Sequence, residues 1–420
     1  MKATNGWPKV KLGEHVELLT GFPFKSQHFT SAPEDIPLVK GENVAQGRIE
    51  WEISKRWPAA ELPQLEKFRL RSGDVVLAMD RPWIDAGLKF AWIKPHDPVA
   101  LLVQRVSRLR GKETLDQTFL RCVIGSPAFT NYIKPIVTGV NVPHISPQQI
   151  KDFQFCLPPV AVQKTVAAIL SAYDDLIENN TRRIQILERM AQALYREWFV
   201  NFRFPGHAKN KLVGSPLGKI PQGWSAPRLD EVATVNASTI RRGHEPENIL
   251  YVDIASVTTG RIEKIEPMAF VDAPGRARRI VQHGDTIWSC VRPNRKSFSL
   301  ILNPSADLIV STGFAVLTPT KVPFTFLHQA VTTDDFVSYL TNHATGAAYP
   351  AVTAKDFEAA KLLVPDESLL RRFKEHCEPM LLLKENLMRK NANLRRTRDL
   401  LLPKLISGAL DVSKLEIETA

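Results

Sequence analysis

Two short stretches concentrate the residues best suited to chemistry with a polyanion: GRARRI at 275–280 and RPNRK at 292–296. Arginine and lysine grip phosphate and reach guanine edges, while Asn and Gln suit adenine. The chain leans the same way throughout, with 55 Lys plus Arg against 44 Asp plus Glu in 420 residues and a net charge of +11. Such an excess favours nucleic acid or an acidic membrane surface. No apolar run approaches the ~18 residues of a membrane helix. The opening MKATNGWPKVKLGEHVE lacks the apolar core of a signal peptide. The expected compartment is therefore the cytoplasm, with no membrane partner.

Catalytic spacings are missing. GSPLGKI (214–220) has three residues between its glycines and Ile220 after the lysine, so the phosphate-loop pattern fails. NPSA (303–306) starts like an amino-methyltransferase motif, but Ser305 and Ala306 break it. The ten histidines form no HExxH, and Cys122, Cys156, Cys290 and Cys377 form no CxxC pair. The chain is expected to be no enzyme on its own and to hold no metal or cofactor.

The elements that must position the basic residues are written twice. RSGDVVLAMDRP (71–82) recurs as QHGDTIWSCVRP (282–293), carrying Gly73, Asp74, Arg81 and Pro82 onto Gly284, Asp285, Arg292 and Pro293 at a shift of 211. GWPKVKLGEHV (6–16) resembles GWSAPRLDEV (223–232), and residues 127–146 resemble 334–353 at a shift of 207. Small changes of shift mean small insertions, so both halves share one fold. Each half begins with short β-type runs such as DVVLAM and LIVSTGFAVL between Gly, Pro, Asn and Asp. Gly73-Asp74 and Gly284-Asp285 read as turns before strands. Helices are expected at 115–134 and 324–344.

Each half ends differently. From Val160 to Phe202 there is no Pro or Gly. Tyr173, Ile177, Ile184, Leu187, Ala191, Leu194 and Trp198 form a heptad seam, with Asn180 at one position. Residues 367–410 keep the register with Met380, Leu387, Leu394, Leu401 and Leu405, and with Lys384, Asn391 and Arg398 on the seam. Such helices of about 43 residues are roughly 65 Å long, and neither hides its stripe alone. They pair within the chain, antiparallel if a pseudo-twofold relates the halves, or with a second chain; the repeat favours the first. The fold expected is α+β: two similar target-binding domains and two long helices in an antiparallel coiled coil. The segments are 1–158 and 223–365 for the domains, 159–204 and 366–410 for the helices, 205–222 for a linker and 411–420 for a tail.

SPLGKIPQGW (215–224) followed by RLDEV resembles the entry to the second half in specificity subunits of type I restriction-modification systems. LPPVAVQKTVAAILSAYDDLIENNTRRIQILERMAQALYREWFVNF (157–202) is similar to that family's central helix region, and LRRTRDLLLPKLISGAL (394–410) to its distal counterpart. The family often writes Pro-Pro-Leu-x-Glu-Gln at the first helix start. Here Val162 precedes Gln163, and VPDESLLRRF has lost the Glu-Gln.

The resemblance implies two target-recognition domains reading a bipartite site in double-stranded DNA. It also implies helices that dock two modification subunits and, in some systems, restriction motor-nuclease subunits. S-adenosylmethionine, ATP and Mg would belong to those partners. The alternative is a tandem DNA-binding regulator or scaffold without a methyltransferase partner.

Residues shared between halves should then be frame, and unshared polar residues should read bases. The first-domain candidates are Lys25, Gln27, Lys40, Arg48 and Lys89. The second-domain candidates are Arg241, Arg242, Arg276, Arg278, Arg295 and Lys296. The shared pair Arg81 and Arg292 cannot set different specificities; a phosphate grip and an internal carboxylate bridge both remain open. Leu170, Phe199, Leu383 and Ile406 are candidates for an exposed apolar docking band on the helices.

Overall fold

The structure, a computed structural model, describes residues 6–84, 87–137, 143–215, 218–413 and 415. Gly139, which the shift of 207 sets against Gly346, lies outside them. The chain divides into two compact units: one runs to Asn179 and resumes at Asn391, and the other spans Asn180–Lys390. The sequence boundaries set the long helices apart as segments of their own, whereas each compact unit takes in part of both.

In the first unit, β1 (Val16–Thr20), β2 (Ile36–Val39), β3 (Val75–Ala78), β4 (Phe90–Trp92), β5 (Leu101–Leu102) and β6 (Val106–Gly111) carry the frame. Four of them form an antiparallel sheet in the order β4-β3-β6-β1, and β5 runs parallel beside β2. All four residues of β3, Val-Val-Leu-Ala, are buried. The turn before it needs Gly73, at φ +86°, because only glycine takes that conformation without strain. Asp74 closes the turn: its carboxylate accepts the Arg71 N–H at 2.8 Å and two bonds from Arg110, at 2.5 and 2.8 Å.

The helix expected at 115–134 is two helices, α1 (Gln117–Ile124) and α2 (Pro127–Ile133). Asp116 caps the first by accepting from the Thr118 and Phe119 amides, and Ser126 caps the second with Pro127 in its first turn. A fresh cap and a proline end one helix and start another.

Then α3 (Val160–Tyr195) begins. Gln163 is fully buried and satisfied: its carbonyl accepts the Asp116 N–H, and its amide donates to the Thr114 and Pro158 carbonyls at 3.0 and 2.8 Å.

The second unit repeats the plan with β7 (Ala233–Val235), β8 (Asn248–Val252), β9 (Glu266–Ala269), β10 (Ala277–Ile280), β11 (Thr286–Ser289), β12 (Phe298–Leu300), β13 (Leu308–Ser311) and β14 (Phe314–Pro319). The order β7-β14-β11-β12 matches the first unit's four-stranded sheet, and β8 runs parallel to β13 as β2 does to β5. The other sheet differs by one strand: β9 flanks β8 antiparallel as Arg56–Trp57 flanks β2, whereas β10 adds a fourth strand antiparallel to β13. Trp288 stands where the first unit has Leu77; it is fully buried and donates to the Val331 carbonyl at 2.9 Å. The helix expected at 324–344 is again two, α4 (Phe324–Ala330) and α5 (Asp334–His343), the second capped by Thr333. The linker folds into an antiparallel hairpin of Leu212–Ser215 with Gly218–Pro221. The glycines of GSPLGKI therefore sit in strands, with none of the helix a phosphate loop requires.

The second long helix is α6 (Glu367–Ile406). In the first unit, Arg398 reaches Asp174 at 2.7 Å and the Asn391 amide donates to the Ile177 carbonyl at 3.2 Å. In the second, Lys384 pairs with Glu188 at 2.7 Å, and Tyr195 packs against Phe373 with ring centres 6.1 Å apart. Within each unit, residue numbers rise on one helix as they fall on the other, so the segments are antiparallel. Much of the expected seam is buried: Ile177, Ile184, Ala191, Trp198, Leu387 and Leu405 are, and Lys384 and Asn391 with them, while Tyr173, Leu187, Leu194, Met380, Leu394 and Leu401 are half-buried. Buried polar seam residues hold register because a slip would leave them unpaired.

Beside this seam, His328 lies in the second unit's core within 3.2 Å of the Thr286 hydroxyl. Burial, aided by the charge of Lys384, pushes its imidazole down to about 3. The folded form thus stays neutral where the unfolded form binds a proton below pH ~6.5. Stability is held above that pH and falls as pH drops, by about 1.4 kcal/mol per unit. Thermal unfolding of the second unit between pH 6.5 and 4.5 is expected to show this slope, and His328→Gln to flatten it.

Candidate nucleic-acid interface

Both units build the same corner from backbone alone. In the first, the Arg81 N–H donates to the Pro143 carbonyl at 2.7 Å and the Ile145 N–H to the Met79 carbonyl at 2.9 Å. In the second, the Arg292 N–H donates to the Pro350 carbonyl at 2.7 Å and the Val352 N–H to the Cys290 carbonyl at 2.9 Å. Arg81 and Arg292 are both left-handed, at φ 44° and 52°. The shared arginine thus marks a shared backbone device. At the centre of this ladder the side chains diverge. Asp80 accepts from His144 at 2.6 Å and from Arg105 in the first unit, whereas Val291 faces Ala351 in the second.

Neither shared arginine bridges to a carboxylate among the described residues. Arg292 lays its guanidinium 4.7 Å over the Tyr349 ring and donates to the Ala348 carbonyl at 3.2 Å. The Arg81 side chain is exposed.

The second unit gathers most of its candidates along one strand edge. The Ile240 N–H and the Thr239 hydroxyl donate to the Arg278 carbonyl, tying the loop that carries Arg241 and Arg242 to β10. Arg276 pairs with Asp253 at 2.6 Å, and Arg278 stacks 4.8 Å over Phe270. Arg295 lies apart, exposed in the turn Pro293–Arg295, and neighbouring Lys296 pairs with Asp334 at 2.7 Å. Arg241, Arg242 and Arg295 are exposed and without a salt-bridge partner among the described residues, so their charge is available to a polyanion.

The first unit is sparser. Lys25 and Gln27 are exposed at the turn Ser26–His28. Lys40 pairs with Glu42 at 2.8 Å and lies over the Phe29 ring, and Arg48 pairs with Glu50 at 2.9 Å. Lys89 corrects the sequence reading: it is buried, donates to the Gly41 carbonyl, and burial lowers the pKa of its amine. Its charge is spent inside the fold.

Three of the four docking candidates need the same correction. Leu170 and Ile406 belong to the first unit's core and Phe199 to the second's, each at most 7% exposed. They pack among residues of the globular parts and of the other long helix; Phe199, for one, lies against both Phe326 and Phe373. Leu383 is exposed. Sequence reasoning missed Leu176, Ile186, Met190, Leu382 and Leu400, which are exposed on the outer helix surfaces. Their signal was available, as apolar residues off the heptad stripe.

Among the described residues, no three or more His, Cys, Asp or Glu side chains are placed to hold a metal, and no helix is long and apolar enough to cross a membrane. Burial raises the Cys122 and Cys377 thiols to about 12 and Cys290 to about 11, which keeps them protonated and unreactive.

Residues 4–189 match the family of the type I restriction modification DNA specificity domain. The chain is 33% identical over 188 residues to the type I restriction enzyme EcoAI specificity subunit of Escherichia coli, covering 44% of this chain and 31% of that one. It is 23% identical over 323 residues to the MjaIX specificity subunit of Methanocaldococcus jannaschii, covering 72% and 71%. The match thus spans about a third of the first relative's length. The fold as a whole is similar to the crystal structure of a type I restriction-modification S subunit from M. genitalium, with a TM-score of 0.60 at 15% identity over 98% of this chain and 99% of that one. Residues 4–189 thus match the type I restriction modification DNA specificity domain, and the chain is similar in sequence to type I restriction enzyme specificity subunits.

Proposed function

We propose that this chain is the DNA-reading subunit of a type I restriction-modification complex, each unit reading one half of a bipartite site. The observation that carries this reading is a frame built twice with different side chains mounted on it. The Gly-Asp turn, the four-stranded order and the arginine corner recur, while Asp80 with His144 gives way to Val291 with Ala351. Two readers of an asymmetric site need such a division. Unpaired Arg241, Arg242 and Arg295 supply charge for the second half-site, and Lys25 and Gln27 polar contacts for the first.

The exposed apolar residues Ile186, Met190, Leu382 and Leu383 supply a docking surface for modification subunits. Methyl donor, ATP and Mg are handled by those and any motor-nuclease subunits. The purified chain is expected to transfer no methyl group from labelled S-adenosylmethionine, and to direct transfer to one bipartite sequence once modification subunits are added. Methyl transfer by the chain alone would contradict this reading.

A further inference from the structure

The hairpin Thr345–Ala351 ends in an exposed aromatic ring that the fold does not use. Thr345 and Ala351 exchange both backbone bonds at 2.9 Å, and Gly346, at φ +99°, makes the turn. Tyr349 is 70% exposed. Nearby Tyr339, by contrast, is half-buried and spends its hydroxyl on the Asp356 carbonyl. An apolar ring on a surface tip has to be held there, and Arg292 holds it. The guanidinium lies on one face of the ring and bonds the Ala348 carbonyl, while the Arg292 N–H pins Pro350. The left-handed backbone of Arg292 belongs to the corner it shares with Arg81; what is particular to Arg292 is its side chain on the Tyr349 ring.

With one face covered, the ring cannot slide between two stacked bases, which would need both faces. Its open face cannot hydrogen-bond a phosphate either. What it can cover is an apolar group on a base edge. The thymine methyl is the one such group in the major groove. Exposed Arg295, close by in sequence to Arg292, adds charge suited to the duplex backbone.

We infer that Tyr349 packs its open face on the 5-methyl group of a thymine in the half-site read by the second unit, with Arg292 as the positioning residue. The inference rests on the DNA-reading function proposed above. By sequence shift its counterpart in the first half is Val142, which lies outside the described residues, so this contact would belong to one half-site only.

The test uses the full chain assembled with modification subunits and duplexes carrying its site. Each thymine is replaced singly by deoxyuridine, which lacks only the methyl group, and affinity is read by fluorescence anisotropy. For the wild type, one replacement in that half-site is expected to weaken binding about fourfold, the worth of one buried methyl. Tyr349→Ala should bind the natural site about as weakly and be indifferent to that replacement. Tyr349→Phe should keep the sensitivity, and Arg292→Ala should reduce it. Because the ring is exposed, the melting temperature should not move, and Tyr349→Ser serves as a second variant. No sensitive thymine in the wild type, or sensitivity that survives in Tyr349→Ala and Tyr349→Ser, overturns the inference alone. Loss of all sequence preference by the wild-type complex overturns the DNA-reading function, and the inference with it.

Discussion

Exchanging residues 212–365 for the equivalent segment of another family member is expected to redirect one half of the DNA site and leave the other half unchanged. Specific sites are typically bound at least about a thousandfold more tightly than random DNA, so the old half-site should lose its preference by about that factor. Sequencing of methylated bases in cells reads both halves at once, and a change in both would rule out independent readers. The structure adds a condition on the donor. Phe199 stays with the host and packs on Trp224 and Phe326, with ring centres 5.9 and 5.1 Å apart; Phe373, also host, packs on Phe199 at 4.9 Å. A donor without large apolar residues at 224 and 326 leaves a cavity worth roughly 3–5 kcal/mol per lost aromatic. Such a chimera would fail by unfolding, which a thermal melt separates from a change of specificity.

The second large effect is a contrast between two aspartates that occupy the same place in the repeat. Asp74 carries a bidentate pair with Arg110. Asp285, at the matching position, meets among the described residues the Thr318 hydroxyl at 2.7 Å and the Gln282 N–H at 2.8 Å and no cation, and burial raises its pKa. Asp74→Asn strands the Arg110 charge. Breaking a fully buried pair costs about 3–5 kcal/mol, and Arg110 keeps 23% of its side-chain surface, so roughly 2–4 kcal/mol is expected.

Asp285→Asn should do the opposite at neutral pH. A raised folded pKa means that this carboxyl favours the fold most at low pH, and that the benefit fades as pH rises through the folded value. An amide removes the buried charge and keeps both contacts, with its oxygen accepting the Gln282 N–H and its NH2 donating to the Thr318 hydroxyl, so up to about 1 kcal/mol of stabilisation is expected. Thermal melts of the two variants at pH 7 decide the matter, and equal losses would sink the contrast.

Much of this fold was legible in the sequence because repetition and period carry it. The heptad stripe marked Ile177, Ile184, Ala191 and Leu387, and even the polar seam residues Lys384 and Asn391, all of which are buried. The stripe could not show how far the globular cores wrap the helix ends. Leu170, Phe199 and Ile406 sit beside it, and only tertiary packing decides whether such residues meet solvent or a strand. The fate of a single cation was equally out of reach. Lys89 and Arg241 look alike in sequence, but one is buried on the Gly41 carbonyl and the other is exposed. The role of Arg81 and Arg292 was half visible: their repetition signalled frame, while the backbone bond that makes them frame has no side-chain signature.

That corner bears on how such a chain changes over generations. Its bonds join main-chain atoms of residues 79–81 to 143–145 and of 290–292 to 350–352, and main-chain bonds do not depend on which side chain is present. Asp80 and His144 at its centre in one copy, and Val291 and Ala351 in the other, show two unlike fillings of one mount. A lineage can therefore alter the residues displayed there by single substitutions while the main-chain bonds of the corner stay in place. The bonds of the mount and the side chains it displays are separately heritable, so selection can move the second while the first is held fixed.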